Sequence, residues 1–358
     1  MRDKAQPKTK GRSLLGRIAS RPLQCGFLGV LAFAGGSAAA LTLFGSARDG
    51  EPSIFLSLTT QGHAVSDENG APSPVSFVNA RKVNGHLVAD PALIEDAPEG
   101  PPPVIAKDGR EAMSAYAQSF DANDKRPKIA IVVTGLDVGV ARTNQAIATL
   151  PPAVTLSFSP FALDAQSWID KARAAGHEAL MEVPMEPFDF PDSDPGPHAL
   201  LVAASAEENL KRLKWAMGRA TGYVGLANIL GGRFMGEQDA IDPILAETAK
   251  RGLIFFDTGA TLNSVVITGA RHGGATVATG TLALDTIQTQ ASIDTRLAEL
   301  ESQAHQDGFA IGVASLYPIS IARLAEWAAN ANARGFQLVP VSALAKRPSS
   351  QAEVAISE

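Results

Sequence analysis

Lys128–Gly139 reads KIAIVVTGLDVG. The apolar run Ile129–Val133 stops abruptly at Thr134-Gly135, and the chain then turns through Gly135 and Gly139. A buried strand that feeds a loop in an α/β enzyme ends this way, with the first polar side chains after it reaching into the site.

From this segment onward short apolar runs alternate with amphipathic ones. The predicted strands are 129–133, 154–158, 179–183, 223–227, 253–257, 275–279, 310–314 and 336–340. Helical patterns lie between them, such as DAQSWIDKARAAG (164–176), SAEENLKRLKWAMGRA (205–220), DAIDPILAETAKRG (239–252) and SIARLAEWAANANARG (320–335). Several open on Asp or Ser and close on Gly, as an N-cap and a left-handed C-cap require. Repeated strand-helix-strand units predict a parallel sheet, and seven or eight of them predict a closed or nearly closed (β/α) barrel. A doubly wound open sheet is the structural alternative.

In a barrel the chemistry sits at the C-terminal ends of the strands. Those positions hold Thr134 and Asp137, Ser159, Glu182 with Glu186, Asn228 with Arg233, Asp257 with Thr258, Asp285, and Ser315 with Tyr317. The set is polar with an acidic bias.

The regions before this body differ from it. The 358-residue chain has a formal net charge of −6, but its first 21 residues carry +6 and the remainder −12. A basic tail (1–22) beside an acidic body, with few aromatics, argues against a nucleic-acid-binding domain. Residues 23–45, LQCGFLGVLAFAGGSAAALTLFG, have no charge and are long enough to cross a bilayer. With the basic residues on their N-terminal side, they predict a single-pass anchor in the inner (cytoplasmic) membrane and a periplasmic C-terminal domain. A cleavable signal peptide, with Gly45–Ala47 as its small-residue site, is the alternative. Cys25, the single cysteine, lies inside this run and can form no intrachain disulfide. Residues 46–126 read as a Pro/Gly-rich linker, partly docked near its end, and 348–358 as a disordered tail.

Several chemistries are weak here. Of six histidines, His63 and His86 fall in the linker, His177 and His305 precede strands, and His272 lies in a helix-to-strand connection. Only His198 is placed to reach the active face, so no histidine pair has ligand spacing for zinc. Asp189, Asp192 and Asp194 lack the spacing of a calcium loop. No Gly-x-Ser-x-Gly elbow is present, and the glycine clusters lack dinucleotide spacing. Glu182, Glu186 and Asp257 remain as paired carboxylates for general acid-base work on a sugar, against the plainer reading of hydrogen-bonded groups at a barrel mouth.

IAIVVTGLD, PPAVTLSFSPFA, ARAAGHEALMEVPMEP, DPGPHALL, GYVGLANILGGRF, LAETAKRGLIFFDTG and RGFQLVPVSAL, in this order from about 128 to 346, resemble the divergent polysaccharide deacetylase family. The resemblance implies a distorted (β/α) barrel of seven or eight strands over 127–347 and a sugar-polymer substrate. It also exposes departures. Thr134-Gly135 stands where the family commonly has two aspartates, Ile229 where a histidine follows the asparagine, Glu182 where a histidine is expected, and Val313 follows Gly312 where the last histidine turn lies. Asp257 is the one candidate ligand left.

Loss of these groups removes the ligands and base of metal-dependent deacetylation, so no metal or cofactor is expected. The expectation is a membrane-anchored family member that handles a cell-envelope glycan. Asp137, Asn228, Arg233, Tyr317 and His198 are its candidate substrate contacts, and Asp257, Glu182 and Glu186 its candidate catalytic groups. An active carboxylate-based hydrolase and a protein-interaction module are the alternatives.

Overall fold

The computed structural model describes residues 81–83 and 86–348. A short antiparallel pair, β1 (Arg81–Val83) and β2 (His86–Val88), comes first. After the single turn of α1 (Ala112–Ala115) the alternating body begins. It runs β3 (Lys128–Leu136), α2 (Val140–Thr149), β4 (Thr155–Phe158), α3 (Ala165–Ala174), β5 (Ala179–Met185), α4 (Ala206–Met217) and β6 (Gly225–Leu230). It continues with α5 (Gln238–Lys250), β7 (Ile254–Asp257), α6 (Val266–Gly273), β8 (Thr276–Thr279), β9 (Leu282–Ala283), α7 (Gln290–Asp307), β10 (Phe309–Ser315), α8 (Pro318–Ala329) and β11 (Gln337–Leu338).

The helices start where side chains can cap them. The carboxylate of Asp164 accepts from Ser167 N, the hydroxyl of Ser205 from Glu208 N, and that of Thr289 from Ser292 N, each satisfying an orphan donor of the first turn. Gly308, at φ 80°, ends α7 in the left-handed conformation that glycine tolerates best.

The strands pair in the order β8-β7-β6-β5-β4-β3-β10-β9, all parallel, and β11 pairs with the first residues of β3 beside β4. This corrects the expectation of a closed or nearly closed barrel, because the sheet is an open half-barrel of eight parallel strands. The cause is local. Only Gly280 and Thr281 separate β8 from β9, whereas two parallel neighbours need a crossover of a dozen or more residues. β9 therefore pairs with β10 instead, and the free edge of β8 takes a reciprocal antiparallel bridge between Val277 and Lys346 from the C-terminal segment.

The expected membrane architecture is corrected as well. Among the described residues no helix is long and apolar enough to cross a membrane. The longest of them, α7, carries Asp294, Arg296, Glu299 and Glu301. Residues 23–45 lie outside the described residues, so no anchor, inner-membrane partner or membrane location is carried forward.

Alternation along the strands separates two faces. Gly312, on β10, lies under Leu300 of α7, so Ile131, its register partner, also points toward the helices. The opposite, concave face then carries Val132, Val313, Thr155, Ser157, Leu180, Glu182, Ala227 and Phe256. Below them Glu178, fully buried, joins three parts of the chain. It accepts from Gln118 N (3.0 Å), from Thr155 Oγ1 (3.5 Å) and from both the backbone N and the hydroxyl of Ser342. One carboxyl group thus holds the segment before β3 and the C-terminal segment against the foot of the sheet.

Packing between strands leaves no slack at Gly225. A Cβ there would sit 2.3 Å from Ile254 Cγ1 and 2.4 Å from the Ile254 carbonyl oxygen. Gly225→Ala must force β6 from β7 and is expected to destabilise the fold by about 1–3 kcal/mol, read as a lower denaturation midpoint in urea. An unchanged midpoint would show that the two strands are not packed this closely.

Candidate functional site

The C-terminal ends of the parallel strands form the mouth of the half-barrel, where α/β folds place their chemistry. The segment quoted first shapes one side of it. β3 runs past Thr134 to Leu136, and the β3–β4 register shifts between Val133 and Leu136. Gly135 (φ 75°) and Asp137 (φ 80°) both occupy the left-handed region, which is uncommon for a non-glycine residue. Asp137 is held there through its backbone N, which donates to Thr143 Oγ1 at 2.9 Å.

The bulge aims the backbone N–H of Gly135 inward at Glu182 Oε1, 2.6 Å away. Glu182 is fully buried on the concave face. Burial raises its carboxyl to about 7, against the opposing pull of the Gly135 N–H. Its other oxygen, Oε2, has no hydrogen-bond partner, and neither has Ser157 Oγ. A buried carboxyl with one free oxygen is cheapest when protonated.

Asp257 is equally buried but belongs to the other face. Glu182, Ala227 and Phe256 are in register across β5, β6 and β7, so Asp257, one residue further on, points toward the helices. Its oxygens accept from Gly259 N (2.8 Å) and Ser264 Oγ (2.6 Å). Burial raises its carboxyl above the ordinary aspartate value while these two bonds lower it. Asn228 shares that face and ties two turns together, donating to Leu230 O (2.7 Å) and accepting from Thr258 N (2.8 Å).

Glu186 lies just beyond β5. It accepts from Arg233 Nη1 (2.6 Å) and Val202 N (2.6 Å), while its carbonyl oxygen accepts from the backbone N of Arg233 and of Phe234. Arg233 remains half exposed beside it. Asp285 accepts from Ser315 N and Ser320 Oγ, which binds the β9 end to β10 and α8.

The remaining candidates are spread around the mouth. Asp137 is partly buried beside Trp168, and burial raises its carboxyl. Tyr317 caps α8 through its backbone, at the end of β10. His198 stacks on Trp215, 3.7 Å between ring centres, and loss of water with Arg212 and Arg219 nearby lowers its affinity for a proton. The structure therefore brings Glu186 to Arg233 and Asn228 to the turn after Asp257, but it sets Glu182 and Asp257 on opposite faces. Ser157 and the Gly135 N–H escaped sequence reasoning. Ser157 was legible as the concave-face neighbour of Thr155, whereas the amide needed the bulge.

A metal finds no place among these groups. The described residues contain no group of three or more His, Cys, Asp or Glu able to hold an ion. His177, a buried imidazole, is engaged by the carbonyls of Val154 and Ile147, and Asp257 has both oxygens engaged. The donor set does not fit the metal centre of a deacetylase.

Fold and site together define a deacetylase-type half-barrel whose strand-end acids are bound up in its own turns. The sequence pattern of the divergent polysaccharide deacetylase family matches residues 131–345. The chain belongs to that family. The crystal structure of ATU2773, an uncharacterized protein of Agrobacterium tumefaciens C58, is similar, with 40% identity and a TM-score of 0.67 over 68% of this chain and 99% of that one. The uncharacterized protein YibQ of Escherichia coli K12 is 23% identical over 194 residues, 54% of this chain and 60% of that protein. This match spans less than two thirds of that relative's length.

Glu182 yields a pH test. Its folded value of about 7 lies above the ordinary 4.5, so folding favours the protonated form. Its contribution is full below 4.5 and is lost as the pH rises toward and past 7, by up to about 3 kcal/mol. Glu182→Gln keeps an oxygen for Gly135 and does not ionise. Its unfolding free energy should fall less between about pH 5 and about pH 8 than that of the native chain; equal falls would mean that Glu182 titrates normally.

Proposed function

We propose that this chain binds a carbohydrate polymer of the class its family acts on, and does so without metal-dependent deacetylation. The observation that carries this reading is the commitment of the strand-end acids. Asp257, Glu186 and Asp285 each satisfy backbone or hydroxyl donors of the fold, and Glu182 is closed off under Gly135. A ligand ion or a catalytic base needs free lone pairs at the mouth. The half-exposed Arg233, with Asp137 and Tyr317, supplies the polar contacts for a glycan. An acid-base hydrolase built on Glu182, Glu186 and Asp257 has less support, since Glu182 and Asp257 point to opposite faces of the sheet. The membrane-anchored, periplasm-facing form of this reading is not retained, because no described helix can span a bilayer.

The test combines zinc titration by calorimetry with acetate release from N-acetylated oligosaccharides and retention on immobilised glycan. No stoichiometric zinc binding and no zinc-stimulated acetate are expected, together with retention that drops several-fold in Arg233→Ala. Tight zinc with acetate release would overturn the non-hydrolytic assignment. Absence of glycan retention would overturn the binding assignment.

A further inference from the structure

Scattered exposed apolar residues are ordinary, but a contiguous set marks an interaction site. Among the described residues, twelve large apolar side chains are exposed, and nine of them sit at or just beyond the C-terminal ends of the strands. Val138 (73% exposed), Val140, Phe161, Leu163 (103%), Phe188 (68%) and Phe190 follow the neighbouring strands β3, β4 and β5. Leu230, Leu262 and Ile287 continue the rim.

Two of the rings are held in place. Phe161 lies over Gly196, where a Cβ would come within 2.8 Å of the ring, and tilts onto Trp215 at 5.3 Å between centroids. Phe188 covers Gly232 with the same 2.8 Å clearance. Anchors fixed before binding lose little conformational freedom on association.

The loops that carry these anchors are acidic in their own sequence, although Arg219 of the α4–β6 connection donates to the carbonyls of Pro160 (2.9 Å) and Ala162 (3.1 Å) beside Phe161. Residues 137–139, 159–164 and 187–198 contain Asp137, Asp164, Asp189, Asp192 and Asp194 and no lysine or arginine. Arg142, one turn into α2, folds back over Gly139. None of the five aspartates forms an ion pair with a lysine or arginine among the described residues. An acidic surface repels anionic lipid. Six of the nine rim residues are aliphatic and offer a sugar ring no aromatic face.

From this apolar, acidic rim over β3, β4 and β5 we infer a docking site for a basic, amphipathic segment of a partner protein, its leucine-like anchors on the rim and its lysines or arginines over the aspartates. The inference shares only Asp137 with the glycan reading and otherwise rests on separate observations.

The probe is a labelled amphipathic helical peptide of leucine and lysine, compared with a counterpart carrying glutamate in place of each lysine, both titrated into the intact chain by fluorescence anisotropy. The lysine peptide should bind and the glutamate peptide should not. Leu163→Ser and Phe188→Ser should each weaken binding by about tenfold, while Phe120→Ser, exposed in the segment that Gln118 holds at the foot of the sheet, leaves it unchanged. Asp189→Asn with Asp192→Asn should reduce its salt dependence. Circular dichroism verifies that each variant is folded. Equal binding of the two peptides, or rim variants that match the native chain, would overturn the inference. So would displacement of the peptide by a neutral oligosaccharide, which would assign the rim to glycan.

Discussion

Two residues, Gly280 and Thr281, are all the chain provides between β8 and β9, and no parallel crossover fits into that length. The ring that the alternating pattern begins cannot close there. β9 crosses instead to β10, and the seam is finished by the C-terminal segment, whose Lys346 bridges Val277 while Ser342 reaches Glu178. Glu178 also receives Gln118 from the other side of the sequence. An open sheet of this type needs its edge covered, and the chain covers it with its own last described turn.

At the opposite end the same economy governs the acids. A carboxylate that keeps the donors of its own turns has few lone pairs left for a ligand. Asp257 organises the turn into α6, Asp285 joins β9 to β10, and Glu186 gathers Arg233 and Val202. All three stand at strand ends, where α/β folds place their chemistry. Here the same positions stabilise the mouth, and the surface they support is apolar at its rim. On the proposed reading, the fold is kept while the metal chemistry is not.

Glu182 is the exception, because the fold leaves one of its oxygens without a donor. The bulge at Gly135 supplies a single N–H to the other. The chain tolerates the arrangement by raising the carboxyl toward neutrality, which removes the charge that burial would penalise. Thr134-Gly135, in place of two acids, is what makes that accommodation possible. A carboxylate at position 135 would bring a second negative charge beside Glu182, and a side chain there would oppose the left-handed backbone.

Much of the body was legible along the chain. Apolar period and length marked all eight of the strands named from sequence, and Asp164, Ser205 and the closing glycines marked helix ends, because propensity and capping act over a few residues. The seven motifs were enough to indicate the family. Three features were not legible. The two-residue β9 has too few residues to show a period, so the open seam was read as a closed or nearly closed ring. The β3 bulge moved the strand end past Thr134, since a left-handed glycine can continue a strand as well as end it. The opposite facing of Glu182 and Asp257 depends on inter-strand register, a long-range quantity that a one-residue slip reverses. Sequence alone determined the eight strands named from it and the helix ends marked by caps, because those preferences are local. Tertiary structure decided which acids share a space, where the sheet opens and that the exposed apolar residues gather at one end, because each depends on strands brought together from distant parts of the chain.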